Sequence, residues 1–412
     1  MENLAKLDFN KLLNLPSPWY VTSAQPTSKT KIDVNIIYDS KRGVCPECGE
    51  DCKLYDVRPS RSWRHLDTMQ YATYLHCEIP RVKCDKCDQV KSLEVPWSEV
   101  RNHFTHLFEN HVIDVLQASR SVEESRKLLG INWHQLDVIK KRAVTRGMSR
   151  RVDSKISKVG IDEKSYAKGH QYASIMVDLS DAKVLDIVKG RKITDAKKLI
   201  KQGIPEQFRD SVQAVAIDMN KGFQSAIEQV LPKSKIVHDV FHIAQHLNQA
   251  VDKTRRAEHK VLLRDDNNSL AKLRYPLLRN SEKLKSDQLD MFKTLEEAGY
   301  QTASCWRLKE LFRFFWQHDH RENAKSFFIK WYDEAIKSGL KHLEKVANMI
   351  NNRLDNVLNF FTHRITNAKA EGVNSKIQTV QSNSRGFRSF ENLRIAILFY
   401  CGKLDLKHHF SH

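Results

Sequence analysis

Six of the chain's eight cysteines fall between positions 45 and 87, four of them as Cys45-Pro-Glu-Cys48-Gly49 and Cys84-Asp-Lys-Cys87. Each CxxC knuckle presents two thiolates from one tight turn, and Gly49 tolerates the left-handed backbone that such a turn needs. Two knuckles with 35 residues between them make a tetrahedral Cys₄ zinc site of the ribbon type. Positions 71–80 and 81–83 read as strands that fill the interval. A redox CxxC is the alternative, and the pairing of two knuckles argues against it. Cys52 and Cys77 are left as small buried side chains or spare thiols, and the tight clustering excludes a disulfide framework running through the chain.

At 412 residues the chain exceeds one compact core, so several domains are expected. Lys and Arg total 68 against 50 Asp and Glu, a formal charge of +18. Residues 1–100 carry 14 of each sign, so the whole excess lies beyond position 100. That balance suits a polyanion, and nucleic acid is the usual one. No run of about 18 apolar residues is present, and Met1-Glu2-Asn3 opens no signal-peptide pattern. A cytoplasmic protein acting on DNA or RNA is expected, with no membrane partner.

The N-terminal segment, 1–97, opens with an amphipathic run at 4–15, a Pro/Ser/Thr-rich passage up to Lys31 and a strand at 32–38. Arg58, Arg61 and Arg64 with Trp63 form a basic–aromatic loop that suits phosphate and solvent equally. Region 98–150 turns helical, with His103, Phe104, Leu107, Phe108, Val112 and Val115 at core spacing. Ser121 and Glu124 form a capping box, Gly130 a turn, and a second helix starts near Trp133. Helix, glycine turn and helix are the helix-turn-helix unit, whose second helix enters a major groove. That helix carries Lys140, Lys141, Arg142, Arg146 and Arg150, the last three spaced by four as one stripe. A charge stripe is usually a solvated face; behind this turn in a basic chain it reads as a DNA contact.

Composition shifts at 151–157. A strand then ends on Asp162, strands follow at 172–177 and 184–188, and a helix at 194–202. A buried strand at 212–217 ends on Asp218, a helix spans 221–230, and a fifth strand at 235–237 leads to Asp239 and a helix with His242 and His246. This is the strand–helix order of the ribonuclease-H-like α/β fold. In that order Asp162 and Asp218 tip neighbouring strands. Any one such Asp is more often a turn residue, but two together with a helical carboxylate make an all-oxygen site for Mg²⁺ or Mn²⁺. The core, 151–256, is interrupted by an all-helical insertion at 257–355. It holds Trp306, Phe312, Phe314, Phe315, Trp316, Phe327, Phe328 and Trp331, read as its core with a minority free to stack on bases. In the last part, 356–412, Thr366-Asn367 caps a helix on which Asn367, Glu371, Asn374 and Gln378 share a polar face. Alone, Glu371 is a solvated carboxylate; after Asp162 and Asp218 it becomes the third ligand, with Asn367 and Asn374 able to orient it. Arg385 and Arg388 form a basic turn before a closing apolar helix.

Taken together, the paired knuckles, the helix-turn-helix, Gly160-Ile161-Asp162-Glu163, Ile217-Asp218-Met219, Asp239-Val240-Phe241-His242, Glu371-Gly372-Val373-Asn374 and Gly386-Phe387-Arg388-Ser389-Phe390-Glu391-Asn392 resemble the bacterial insertion-sequence DDE transposases of the ISL-three family. The resemblance implies Asp162, Asp218 and Glu371 as a catalytic triad, and Asp239 and His242 as accessory residues. It also implies two catalytic Mg²⁺ or Mn²⁺ ions roughly 3.5–4 Å apart, a structural Zn²⁺, transposon-end and target duplex DNA as partners, and a homodimer or larger synaptic assembly. Two rivals stay open: a zinc-ribbon, helix-turn-helix regulator with an inactive catalytic domain, and a nuclease or resolvase of the same fold.

Overall fold

The computed structural model describes residues 8–119, 121–151, 155–167, 169, 171–365, 368–384, 386–387 and 389–409, with the backbone alone for 368–371. The chain divides into two compact units, Met1–Arg151 with Leu404–His412, and Val152–Lys403.

In the first unit α1 (Phe9–Leu13) precedes β1 (Trp19–Ser28), β2 (Lys31–Tyr38), β3 (Arg42–Val44), β4 (Asp51–Val57), β5 (Arg61–Arg64), β6 (Ala72–Cys77), β7 (Pro80–Cys84) and β8 (Gln89–Ser92). They form two four-stranded sheets, β1-β2-β6-β5 and β3-β4-β7-β8. The Pro/Ser/Thr-rich passage is thus a strand rather than an irregular segment, with Trp19 opposite Tyr38. Pro26 is tolerated because β1 is an edge strand, where a missing N–H can face away from the ladder. Trp19, Trp63 and Trp97 meet edge-on at 5.2 and 5.5 Å between centroids and anchor this core with Val34 and Leu75. Three helices follow: α2 (His106–Ala118), α3 (Val122–Leu129) and α4 (Trp133–Ser149). The Ser121 side chain accepts from the Glu124 N–H, and Asn132 with Gln135 forms a reciprocal box at the start of α4.

The last residues belong to this unit, which divides the 356–412 segment expected from sequence. Gly147 on α4 admits them: a Cβ there would lie 2.7 Å from Cβ of Leu404. The Asn110 side chain donates to the His408 carbonyl at 3.0 Å and accepts from its N–H at 2.8 Å.

The second unit is built on β9 (Lys158–Ala167), β10 (Gln171–Asp178), β11 (Lys183–Lys189), β12 (Ala214–Ile217) and β13 (Lys235–His238). Their order is β11-β10-β9-β12-β13. The first three are antiparallel; β12 runs parallel to both β9 and β13. All four residues of β12 are buried, as a central parallel strand covered on both faces requires. Between the strands lie α5 (Ile193–Gly203) and α6 (Lys221–Val230). Their Leu199, Ile200, Phe223 and Ile227 pack on Val159, Ile161 and Val215, and each such burial contributes roughly 1.5–3 kcal/mol relative to exposure.

Beyond β13 come α7 (Val240–Leu262), α8 (Arg274–Leu278), α9 (Ser286–Glu297), α10 (Gln301–Phe312), α11 (Arg321–Lys337), α12 (Lys341–Asn351), α13 (Leu354–His363), α14 (Ala368–Asn383) and α15 (Phe390–Cys401). Helix α7 runs unbroken through the expected start of the insertion at 257. Phe312, Phe315, Phe328 and Trp331 are buried in the helical region, while Phe314 is exposed. Among the described residues no helix is long and apolar enough to cross a membrane.

Candidate active site

Register decides which carboxylates meet. Ala216 on β12 pairs with Gly160 on β9, and the two strands are parallel. The pairing stops there, and Asp162 on β9 and Asp218 just past β12 both lie two residues beyond its last pair. Asp162 is not the end of its strand, as the sequence pattern suggests: β9 continues to Ala167 along β10, with Asp162 opposite Ile175. It marks the point where β9 outruns β12, so its side chain opens into the space above Ile217. Asp162, Asp218, Asp239, His242 and Asn374 line one cleft there.

Asn374 on α14 donates from Nδ2 to Oδ2 of Asp162 at 2.8 Å. Lys164 donates from Nζ to the Asn374 carbonyl at 2.9 Å, a second tie between β9 and this helix. Val373 and Ile377, on the apolar face read from the sequence, are buried. Glu371 lies on the same helix with its side chain outside the described residues. Asn367, Arg385 and Arg388 also lie outside them.

Burial pushes the Asp218 carboxyl above its ordinary range; the Asn220 N–H and the charges of His242 and His246 oppose this, and the charge of Asp162 adds to it. Asp162 and Asp218 in one cleft are an all-oxygen donor set that a hard divalent cation fits. His238, at the end of β13, donates from Nδ1 to the Asp218 carbonyl at 3.1 Å, and burial pushes its own imidazole down to about 4. Asp239 caps α7 by accepting from the Phe241 N–H at 2.9 Å, and its other oxygen stands 3.6 Å from Nε2 of His242.

In the first unit the sulfurs of Cys45, Cys48, Cys84 and Cys87 all lie within 4.8 Å of one another. A zinc ion about 2.3 Å from each of four tetrahedral sulfurs needs sulfur–sulfur edges of about 3.8 Å, and Cys48 and Cys84 stand at 3.5 Å. Gly49 has φ +74°, as the knuckle requires. Cys52 and Cys77 are buried outside this cluster, their thiols donating to the Glu50 and Glu78 carbonyls. Four thiolates with no open position describe a structural zinc site.

Arg146 on α4 turns inward, which corrects its reading as a DNA contact. Arg146 is buried; it donates to Glu109 at 3.0 Å, Glu99 at 3.1 Å and the Leu406 carbonyl at 2.6 Å. Glu109 is itself fully buried and also takes hydrogen bonds from Asn102 and His408. Arg142 donates to the Arg101 carbonyl and Arg150 pairs with Asp405 at 3.4 Å. Lys140 and Lys141 both lie by Asp137, and burial pushes the Lys140 amine down. Of the earlier basic loop, Arg64 is buried and paired with Asp67, and Arg61 lies over the Trp63 ring.

The model of a transposase family, DDE_Tnp_ISL3, matches residues 159–397, more than half the chain and all of the cleft. The chain belongs to the ISL3 (ISL-three) family of DDE transposases. A second model, the zinc-finger of transposase IS204/IS1001/IS1096/IS1165, matches residues 41–87 and so covers the cysteine cluster. The transposase for insertion sequence element IS1001 of Bordetella parapertussis is 26% identical over 352 residues, 84% of this chain and 86% of its own length. The transposase for insertion sequence element IS1557 of Mycobacterium tuberculosis is 22% identical over 385 residues, 87% and 86% of the two chains. A chain of the Drosophila P element transposase strand transfer complex aligns at a TM-score of 0.40 and 10% identity, over 78% of this chain and 95% of that one, too low a likeness to assign a fold.

Within the ISL3 match, three residues escape the sequence pattern. Lys164 and His238 leave no signal, because their partners lie far along the chain. Arg394 lies two residues past the Gly386–Asn392 motif, whose position is the one signal that could have pointed to it. It holds α15 against β11 by two bonds to buried Asp186, at 2.9 and 3.2 Å.

Proposed function

We propose that this ISL3-family chain is an insertion-sequence DNA transposase whose second unit is a ribonuclease-H-like phosphoryl-transfer core, with Asp162, Asp218 and Glu371 as its acidic triad. What supports it is the cleft that Asp162 and Asp218 share, together with the hydrogen bond that brings Asn374, three residues beyond Glu371, onto Asp162. Asp162 and Asp218, with Glu371, would hold Mg²⁺ or Mn²⁺. Ions bound there supply Lewis-acid activation of the attacking oxygen and charge stabilisation of the leaving one.

The chain's own residues prepare that site. Asn374 fixes which Asp162 oxygen faces the cleft, and Lys164 keeps α14 against β9. His238 pins the backbone of Asp218, and Asp239 aims His242 from the first turn of α7. No Ser, Cys or Tyr nucleophile is needed, since water and then a DNA 3′-hydroxyl attack phosphorus directly. The zinc ribbon and the helix–turn–helix formed by α3 and α4 read the element's terminal inverted repeats, while contacts to phosphates set position. Two ends must be joined, so a homodimer or larger assembly on DNA in the bacterial cytoplasm is the working form.

The test is strand cleavage of a duplex carrying an end of the element, in Mg²⁺, by Glu371→Gln. The expected outcome is end binding like that of the unaltered protein with cleavage abolished. Nicking at the unaltered rate would remove Glu371 from the triad.

A further inference from the structure

The turn between β11 and α5, Lys189-Gly190-Arg191-Lys192, has no role in the site as described, yet it is built with unusual care. The Gly190 N–H donates to the Tyr172 carbonyl at 2.8 Å, and its carbonyl accepts from the Ser174 hydroxyl at 2.8 Å. Gly190 has φ +100°, and the Asp195 carboxylate fills the place of any Cβ, with Oδ2 at 2.2 Å from it. Asp195 is in turn held by the Lys192 N–H at 2.9 Å. At this φ a side chain would be strained and would displace Asp195, so the turn favours glycine at position 190.

That conformation aims Arg191. Its guanidinium lies 4.1 Å from the centroid of the Tyr172 ring and reaches across β10 to Glu163 on β9, Nη1 to Oε1 at 3.3 Å. Only this one of its five N–H donors has a hydrogen-bond partner among the described residues, and half of the side chain is exposed. Lys189 and Lys192 are exposed and form no ion pair among the described residues. The other side of the turn lies against the start of α6, four residues beyond Asp218. A Cβ on Gly222 would meet the Ile193 nitrogen at 3.7 Å and the Arg191 carbonyl oxygen at 3.8 Å.

The turn therefore spans from the neighbour of Asp162 to the neighbourhood of Asp218. Successive strand residues point to opposite faces. Asp162 faces α14, so Glu163 and the guanidinium it holds stand on the α5–α6 side of the same strand position. A cation there is offset from the cleft, on the other face of the strand from Asp162. A planar fork with open donors matches phosphate oxygens in pairs.

We propose that Lys189, Arg191 and Lys192 form a phosphate-holding platform that grips the DNA backbone beside the scissile position. The inference rests on the reading of the cleft as a DNA-cleaving site. The platform differs from Arg146 of the α4 stripe, which is taken up by buried Glu109 and the Leu406 carbonyl. Charge excess alone carries nothing; the fixed turn and the open donors do.

The experiment uses the full chain and a random-sequence duplex of roughly 40 base pairs, with affinity measured between about 50 and 200 mM KCl. The slope of log affinity against log salt falls by about 0.9 for each phosphate that the protein no longer neutralises. Arg191→Ala is expected to lower it by about one such step, and Lys189→Gln with Lys192→Gln by up to two. Arg191→Lys restores the slope, since it restores the charge. Lys330→Gln, a charge removed from exposed α11, leaves it unchanged. The two Lys variants are exposed and keep the test valid if Arg191→Ala misfolds. Slopes equal to that of Lys330→Gln in all platform variants overturn the proposal. That failure is separate from failure of the cleft reading, which appears as cleavage by Glu371→Gln and leaves the slopes to judge the platform alone.

Discussion

In the cysteine cluster all four ligands come from two short turns, and Cys48 meets Cys84 across 36 positions. In the acidic cleft Asp162 on β9 meets Asn374 on α14 across 212 positions, with four strands and the whole helical region between them. The first site is closed: four sulfurs face one point with two of the cysteines buried, and nothing is left for a substrate. The second gathers Asp162, Asp218 and Asp239 in one cleft, where burial first, and the charge of Asp162 in smaller part, raise the Asp218 carboxyl. Ligands supplied locally fix a fold, whereas ligands supplied by distant elements leave a site that stability alone would not select. The polar groups of the first unit should therefore govern folding, and those of the cleft should govern rate.

Zinc is the severest test of that contrast. Chelation, or Cys84→Ser, should remove on the order of 10 kcal/mol from the first unit. Calorimetry should lose that unit's transition while the second unit's remains; a second transition falling in step would break the distinction. Next comes a structural pair inside the second unit. Arg394→Ala leaves the Asp186 carboxylate buried without its partner and should cost about 3–5 kcal/mol in urea unfolding. Its cleavage rate at a temperature where the protein is folded should stay near normal.

Asn374→Ala should do the reverse. It frees Asp162 to rotate, so the cleavage rate should fall about 10–100-fold, with the melting temperature nearly unchanged. A large loss of stability would make Asn374 a packing residue. The smallest effect is a pH effect. His106 is pushed down to about 4, by burial first and then by the charge of His408, whose ring lies 4.0 Å away. A depressed histidine stabilises the fold fully above about 6.5 and loses that contribution as pH falls towards 4. Relative to pH 7, the unaltered protein should then lose about 1 kcal/mol more than His106→Asn, once solvent screening is discounted. Equal acid sensitivity of the two would assign the effect elsewhere.

Local chemistry is legible in the sequence and direction is not. The knuckles announce themselves because each needs only four consecutive residues. Asp162 and Asp218 can be paired because strand order follows from alternating strand and helix patterns. The exact level of Asp162 cannot be read that way, since β9 runs on past it and only the register with Ala216 shows where the cleft opens. Spacing by four places Arg142, Arg146 and Arg150 on one face of α4, yet periodicity does not say what that face meets. It meets Glu109, Glu99 and residues 405–407, the last supplied from over two hundred positions away. Arg191 escapes the sequence for the opposite reason. It stands in a turn without period, and its meaning comes from Tyr172 and Glu163 on two other strands.

On the proposed reading, the cleft that Asp162 and Asp218 share is a metal-dependent DNA-cutting site. Its most direct test is single-turnover cleavage, in Mg²⁺, of a plasmid carrying both ends of the element, comparing Asp162→Asn with the unaltered chain. The account predicts a loss of roughly 10²–10³-fold or more, with DNA binding and melting temperature retained. Cleavage by Asp162→Asn at the unaltered rate would contradict it.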